Sequence, residues 1–171
     1  NDKLNLHERK WVEKKVANPT KAEEIVNMKG KKYNYQLNEE SSADQLFKVP
    51  AGSYKYTVDI NKTDKNKTDG NFDITKVTLT DKLDKDVMKY VGYMKITAYN
   101  TQDEVVETKW VNIDKQQSFS LKLSDIGWEN NCYSYTFEYY ATPNDLSSLT
   151  SAKVSNTFTL NVDVIRGVNG D

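Results

Sequence analysis

Three polar residues, Lys14, Asp81 and Asn156, each interrupt the apolar side of a segment in which polar and apolar residues alternate. Such alternation is typical of a β-strand with one buried face, so these side chains are expected to point towards a core. The flanking apolar residues are Val12 and Val16, Val77 and Leu79, and Val154 and Phe158. An amine, a carboxyl group and a carboxamide held together away from water can react, because the amine can displace ammonia from the amide. The pattern therefore predicts an intramolecular lysine–asparagine isopeptide bond.

The reaction requires an uncharged amine and a neutral acid, and burial favours both. Desolvation disfavours charged groups, so a buried Lys14 is expected to have a lowered pKa and a buried Asp81 to be a neutral acid. The acid can polarise the Asn156 carbonyl and carry a proton from the attacking amine to the departing ammonia. Packing in the core supplies the proximity. Asp81 is the predicted catalyst, and Lys14 and Asn156 are the predicted cross-linked pair.

Each of the three residues also has an ordinary explanation. Lys14 belongs to a Lys-Lys pair and could point outward on an edge strand, a common protection against aggregation. Asp81 could open a turn, and Asn156 could be a polar residue near the start of a strand. The coincidence of all three on apolar faces favours the reactive interpretation. Lys15 and Lys10 are the alternative nucleophiles, and Lys10 shares the face of Lys14.

Alternating segments recur along most of the chain, and helical periodicity is scarce. About nine strands separated by turn signals favour an all-β sandwich. The stretch 17–49 forms an insert, in which residues 21–29 are consistent with one short helix or a loop, and the polar segment 61–73 predicts an exposed loop. The predicted strands lie near residues 10–16, 33–37, 54–60, 74–79 (ending at Thr80-Asp81), 90–99, 104–113, 118–123, 133–140 and 154–164.

No shift in composition marks an interior boundary, so residues 1–171 are expected to form a single module. Its core spans 10–164, and the tail 165–171 resembles a linker. The chain starts in a charged stretch with no recognisable signal peptide. We therefore expect a module excised from a larger multidomain protein.

The charge of the chain argues against several classes of partner. Its 24 basic and 25 acidic residues give a formal net charge of -1, so neither nucleic acid nor an anionic membrane is an expected partner. No apolar run approaches the ~18 residues that a membrane-spanning helix needs. Cys132 is the one cysteine, which excludes an internal disulfide.

Four segments resemble the isopeptide-forming domains of Gram-positive pilins and cell-wall adhesins, of the Asp-assisted CnaA-like or fimbrial type. Residues 12–16 (VEKKV) look like the opening lysine strand, and residues 77–83 (VTLTDKL) look like the strand that carries the catalytic acid in a V-x-V-x-D-x-L pattern. Residues 154–158 (VSNTF) look like the closing asparagine strand, and residues 50–58 (PAGSYKYTV) resemble the strand before the acid. The insert 17–49 is longer than in the simplest members of the family.

The resemblance implies an immunoglobulin-like β-sandwich in an extracellular, sortase-anchored protein of the bacterial cell wall. The module would be a structural stalk or adhesin unit whose partners are the neighbouring modules of the same protein. The pilin Tyr-Pro-Lys-Asn motif and a sorting signal are not visible, so a polymerising pilin backbone is not supported. The implied bond formation is a single autocatalytic event, and the chain is not expected to be an enzyme.

A different function, recognition of a ligand, is the alternative interpretation. Here the domain would be an adhesin that binds a host glycan or matrix protein through the segments 17–49 or 61–73, since binding residues favour loops on a rigid scaffold. Turnover of an external substrate has no signature, because the sequence lacks a phosphate-binding glycine loop, a nucleophile elbow and a histidine base.

Metal and cofactor sites find little support. His7 is the one histidine, and with one cysteine it cannot supply a standard zinc site. The segment 64–75 fails the calcium-loop pattern at its glycine and glutamate positions. Cys132 could in principle form a thioester with a glutamine, but a small core residue at the head of the 133–140 strand is the favoured interpretation. The glutamines considered are Gln102, Gln116 and Gln117. No metal and no cofactor are expected.

Overall fold

The structure is a computed structural model that describes residues 12–34, 37, 39–62, 77–83, 87–144 and 156–162. Twelve β-strands contain most of these residues, and the helical segment among them is a single 3-10 turn at Leu123–Asp125. The strands are β1 (Val12–Val16), β2 (Glu24–Met28), β3 (Lys31–Asn34), β4 (Glu39–Ser41), β5 (Gln45–Val49), β6 (Tyr54–Ile60), β7 (Val77–Leu83), β8 (Met88–Tyr99), β9 (Val105–Asn112), β10 (Ser118–Lys122), β11 (Ser134–Pro143) and β12 (Asn156–Val162).

The strands form three sheets. A large sheet has the order β1-β6-β11-β8-β9-β3-β4, a small sheet has the order β10-β7-β12, and β2 pairs with β5 in a separate side sheet. The large and small sheets share one buried core, to which both contribute aromatic and aliphatic side chains. The all-β sandwich predicted from the sequence is therefore confirmed.

Alternation explains why these segments are strands and which of their faces pack. In β6, Tyr56, Val58 and Ile60 are buried while the residues between them are only partly covered. At the start of β11 and along it, alternation predicted one core face for the run at 133, 135, 137 and 139. These side chains are all buried: Tyr133, Tyr135, Phe137 and Tyr139. Burial of such rings supplies much of the hydrophobic driving force, since each removes a large apolar area from water.

The insert 17–49 was predicted incorrectly in its details. It contains four strands, β2 to β5, and residues 24–28, for which a helix or loop was expected, form β2. β2 is held by antiparallel pairing with β5, with Val26 opposite Phe47, and β3 joins the large sheet by parallel pairing with β9. These are long-range pairings whose partners supply the stability, so the local pattern of the insert did not reveal them. This accounts for twelve strands where about nine were expected.

Two apolar residues lie outside the core against expectation. Val16 was predicted to face inward with Lys14, but it is 52% exposed near the end of β1, an edge strand with a neighbour on one side only. Leu37, predicted in a strand, is 63% exposed in a turn after β3.

Several predicted features lie outside the described residues, namely Lys10, most of the 61–73 loop and the 165–171 linker. In the part of the chain that is described, no helix has the length and apolar character needed to cross a membrane.

Candidate cross-linking site

Lys14 occupies the middle of β1 at the edge of the large sheet. It pairs with the fully buried Val58 of β6. Residues directly opposite in an antiparallel pair share a face, so this register assigns Lys14 to the core side of the sheet. Its side chain retains 22% exposure. Lys15 is exposed and pairs with Thr57 on the other face, so alternation separates the two lysines.

Asp81 lies inside β7 rather than at its end. The sequence predicted that this strand stops at Thr80-Asp81, but pairing continues to Lys82 on the β10 side and to Leu83 on the β12 side. Asp81 is therefore not a turn residue. Its side chain is fully buried, on the same face as the core residues Leu79 and Leu83. An acid in such a position requires partners, because an uncompensated buried charge is costly.

One partner of Asp81 is Lys14, across the gap between the sheets. The Nζ atom of Lys14 lies 3.7 Å from Oδ1 of Asp81. The same nitrogen lies 5.1 Å from the centroid of the Tyr56 ring. Burial lowers the pKa of Lys14 below its ordinary value, and the negative charge of Asp81 raises it in partial opposition. The net direction favours the uncharged amine, which is the nucleophilic form.

A second partner is the hydroxyl of Tyr90, which donates a hydrogen bond of 2.5 Å to Oδ2 of Asp81. Tyr139 and Tyr56 complete a cluster of buried rings around the acid, with Tyr139 contacting both of the others. Burial and the charge of Asp81 raise the pKa of Tyr90 and Tyr139 well above the ordinary range, and they raise the pKa of Tyr56 to about 12. All three hydroxyls therefore keep their protons under ordinary conditions.

Asn156 begins β12, the neighbour of β7. The register places Asn156 opposite Leu83 and Phe158 opposite Asp81. Positions 156 and 81 are thus diagonal neighbours on one face of the small sheet. Residues in such diagonal positions on adjacent strands are about 7–8 Å apart. For Asn156 the structure describes this strand position and not the side chain.

β12 pairs with one edge of β7. On the other side of β7, Phe119 of β10 contacts Tyr90 of β8, with ring centroids 5.3 Å apart. β10 therefore lies towards β8, and β12 lies on the opposite side of β7. The amine, the acid and the asparagine position come from three strands in two sheets. A bond between Lys14 and Asn156 would join the sheets.

The sequence pointed to Lys14 and Asp81 but missed Tyr90. Alternation identified Tyr139 as a core residue, and it gave no sign that the hydroxyls would surround an acid. A tyrosine on a fully buried face is the available signal, because a buried phenol usually has a polar partner. For Tyr90 that partner is Asp81.

Cys132 is partly exposed, and its thiol donates to the backbone carbonyl of Glu129 at 3.3 Å. Burial and the neighbouring charge of Glu107 raise the pKa of this thiol. Gln116, one of the glutamines considered for a thioester, donates instead to the carbonyl of Asn112. In the described ranges no group of three or more histidine, cysteine or acidic side chains is arranged to hold a metal ion.

A separate open cleft of about 510 Å³ lies between the side sheet and the large sheet. Phe47 of β5 and Tyr93 of β8 line it, with ring centroids 6.3 Å apart. Both residues are partly exposed. The other lining residues are Met28, Gln45, Leu46, Lys48, Val91, Gly92, Asn112 and Asp114.

Comparisons with known proteins give no family. No protein-family model and no curated protein matches the chain. Among solved structures, the chain is similar to the crystal structure of the enzymatically active domain of tailspike protein 4 from bacteriophage CBA120, at 7% identity and a TM-score of 0.32. The match covers 89% of this chain and 19% of the tailspike chain. A similarity of this size supports no conclusion about function.

Proposed function

We propose that this chain is a structural module whose large and small sheets are locked together by an isopeptide bond between Nζ of Lys14 and the side-chain carbonyl carbon of Asn156. The observation that supports the proposal is the buried carboxyl of Asp81, 3.7 Å from the Lys14 amine and on the strand next to Asn156. The setting is the one implied by the resemblance noted above, an extracellular cell-wall protein of a Gram-positive bacterium with neighbouring modules of the same type.

The reaction conserves atoms and charge. A proton passes from the Lys14 ammonium to Asp81, which gives a neutral amine and a neutral acid. The amine attacks the Asn156 carbonyl carbon while the acid stabilises the developing negative charge on the oxygen. Asp81 then gives its proton to the amide nitrogen and takes up the second proton, which the attacking nitrogen releases. The carbon–nitrogen bond breaks, ammonia leaves, and Asp81 ends as a neutral acid. The product is a neutral amide, which suits a buried position better than an ion pair.

The position of the bond fits a mechanical role. Lys14 lies in the first described strand and Asn156 begins the last, so the bond would close almost the whole domain into one loop. In the chain-entropy treatment used for disulfides, a loop of this length stabilises the folded state by on the order of 4 kcal/mol or more. A force applied to the two ends of the domain would load the cross-link before the hydrogen bonds of the sheets.

Intact-mass measurement under denaturing conditions tests the proposal. The wild-type chain is expected to weigh less than its sequence by one ammonia, and digestion should release one peptide that contains both Lys14 and Asn156. Asp81→Ala should restore the full mass and lower the thermal stability. Asp59→Asn is the matched control. Asp59 lies on β6, next to β1, and accepts a hydrogen bond from Thr136 on the face of the large sheet that points away from Asp81. An unmodified wild-type mass would disprove the cross-link.

Ligand recognition is the second candidate function, and the cleft beside Phe47 and Tyr93 favours it. Partly exposed aromatic residues next to amide and carboxylate groups suit the apolar faces and hydroxyls of a sugar ring. Residues of the insert 17–49 form one wall of the cleft, which agrees with the position expected for a binding surface. A glycan and matrix-protein array tests this function. Binding that is lost in Tyr93→Ala would support it, and an array without hits would count against it.

A further inference from the structure

The two oxygens of the Asp81 carboxyl have different neighbours. Oδ1 lies 3.7 Å from the Lys14 amine, and Oδ2 accepts the hydrogen bond of Tyr90. The neighbours approach from separate strands of the large sheet, since β1 and β8 have β6 and β11 between them. The carboxyl is thus held from two directions. Oδ1 is the oxygen near the nucleophile.

Tyr90 is itself fixed in place. Its side chain is 1% exposed, and its ring contacts Phe119 at 5.3 Å and Tyr139 at 5.9 Å. Its backbone bonds both ways to the turn before β10, donating to the carbonyl of Gln116 and accepting from the amide of Lys115. Its hydroxyl therefore occupies a defined point in the core, and burial, by raising the pKa of the phenol, keeps its proton in place.

We propose that Tyr90 is the positioning residue of the cross-linking reaction, and that Oδ1 of Asp81 is the oxygen that exchanges protons with Lys14 and Asn156. The inference rests on the proposed isopeptide function. The terminal torsion of an aspartate is broad and allows many rotations of the carboxyl plane. The bond from Tyr90 removes this freedom by holding Oδ2, so that Oδ1 points to the reacting groups. Catalysis of this kind is sensitive to displacements of about 1 Å.

The hydrogen bond from Tyr90 to Asp81 also affects how the cross-linking rate depends on pH. A hydrogen bond donated to a carboxylate favours its ionised form. At low pH the pair of Lys14 and Asp81 carries an extra proton, which leaves an ammonium ion that cannot attack. Removing the Tyr90 hydroxyl should make Asp81 take up that proton at a higher pH. The acid limb of the rate profile should then move to higher pH.

The test follows the loss of ammonia in the full chain after its synthesis. Chains are made in a cell-free system, synthesis is stopped, and samples in buffers across the acid and neutral range are quenched and weighed over time. Tyr90→Phe keeps the ring and removes the hydroxyl. We expect its cross-linking rate to fall by about 10- to 100-fold, with the acid limb displaced to higher pH. Tyr135→Phe, which removes a hydroxyl from another buried tyrosine of the large sheet, should retain the wild-type rate and profile.

A variant with better-preserved packing covers the case in which Tyr90→Phe folds poorly. Tyr90→3-fluorotyrosine retains the hydroxyl and makes it a stronger donor, so its acid limb should move to lower pH, opposite to that of Tyr90→Phe. Wild-type rates and profiles in both variants, with normal cross-linking of the parent, would overturn the role of Tyr90 alone. A wild-type chain that never loses ammonia would overturn the isopeptide function, and the role of Tyr90 with it.

Discussion

The side-chain nitrogen of Lys14 lies 3.7 Å from Oδ1 of Asp81, although the two residues belong to opposite sheets of the sandwich. An ion pair in such a position is not by itself evidence of stabilisation, because desolvation of two charges can cost as much as their attraction returns. The loss of one partner is more harmful, since it leaves the other charge buried alone. Conversion of the pair into an amide and a neutral acid would remove this cost, which gives the arrangement a chemical purpose.

The lysine of the cross-link can be assigned with two matched substitutions on β1. Lys14→Arg keeps a positive charge beside Asp81, but a guanidinium stays protonated and cannot attack an amide. Its chain should keep the full mass and lose thermal stability, by on the order of 4 kcal/mol or more in free energy of unfolding. Lys15→Arg changes the exposed neighbour on the other face and should cross-link fully. Loss of ammonia in Lys14→Arg would move the assignment to another lysine, such as Lys10, and peptide mapping would identify it.

The tyrosines around Asp81 predict a loss of stability at alkaline pH. Burial raises the pKa of Tyr56 from 10.0 to about 12, so the unfolded state releases this proton first. A group of this kind does not affect the free energy of unfolding at pH values below its pKa in the unfolded state. As the pH rises above that pKa, the free energy of unfolding falls. Between pH 10 and about pH 12, Tyr56 alone should lower the free energy of unfolding by about 2–3 kcal/mol. Tyr90 and Tyr139 act in the same direction.

Urea titrations at a series of alkaline pH values measure this effect, with tyrosinate absorbance to follow ionisation. Tyr56→Phe should flatten the dependence in that window, and an unchanged slope would contradict the assignment. Asn156→Ala leaves Lys14 as a free amine. This amine contributes to the pH dependence of the free energy of unfolding with the sign opposite to that of the tyrosines. Burial lowers the pKa of Lys14 from 10.5. Its charged form therefore destabilises the folded state at low pH, and this destabilisation disappears as the pH rises towards 10.5.

The sequence predicted the sandwich well because its core strands carry their own signal. In β6 and β7 buried residues alternate almost completely with partly covered or exposed ones, so the strand period and the buried face could be inferred from local residues alone. The insert gave weaker signals. β2 and β5 expose Ile25 and Leu46 and are held by each other, and β3 is held by the distant β9. Pairing partners far apart in the chain cannot be inferred from a local pattern.

The candidate site was predictable only where a polar residue broke an apolar pattern. Asp81 meets this description because Leu79 and Leu83 flank it on a buried face, and the burial of its side chain is as expected. Tyr90 does not meet it, since a tyrosine on a buried face looks like any other core aromatic. Its hydrogen bond to Asp81 depends on how two sheets stack, which is a tertiary relationship with no trace in the order of residues.

Gly92 controls how the side sheet packs on the large sheet. It has a φ of 70°, and a Cβ atom added there would overlap the ring of Phe47. Gly92→Ala should therefore cost about 2–3 kcal/mol, from backbone strain together with displacement of the ring. Gly30→Ala is the matched control, because Gly30 has a φ of 90° but no atom near the added carbon, so only the strain applies.

Unfolding in urea gives the two free energies, and hydrogen exchange shows where the loss falls. We expect faster exchange in β2 and β5 for Gly92→Ala than for Gly30→Ala, because Phe47 links the side sheet to β8. Equal effects of the two substitutions would mean that contact with Phe47 contributes little.

Cys132 should be a poorly reactive thiol in the folded protein. Its pKa is raised by burial and by the charge of Glu107, so the thiolate fraction at neutral pH is smaller than in the unfolded chain. Alkylation by iodoacetamide is therefore expected to be several times slower in buffer than in denaturant. Glu107→Gln removes the second cause and should speed the reaction, while Glu104→Gln, at an exposed acid bonded to Asn100, should not. A folded thiol that reacts faster than the unfolded one would contradict this account and would reopen the thioester interpretation, because such chemistry requires an activated cysteine.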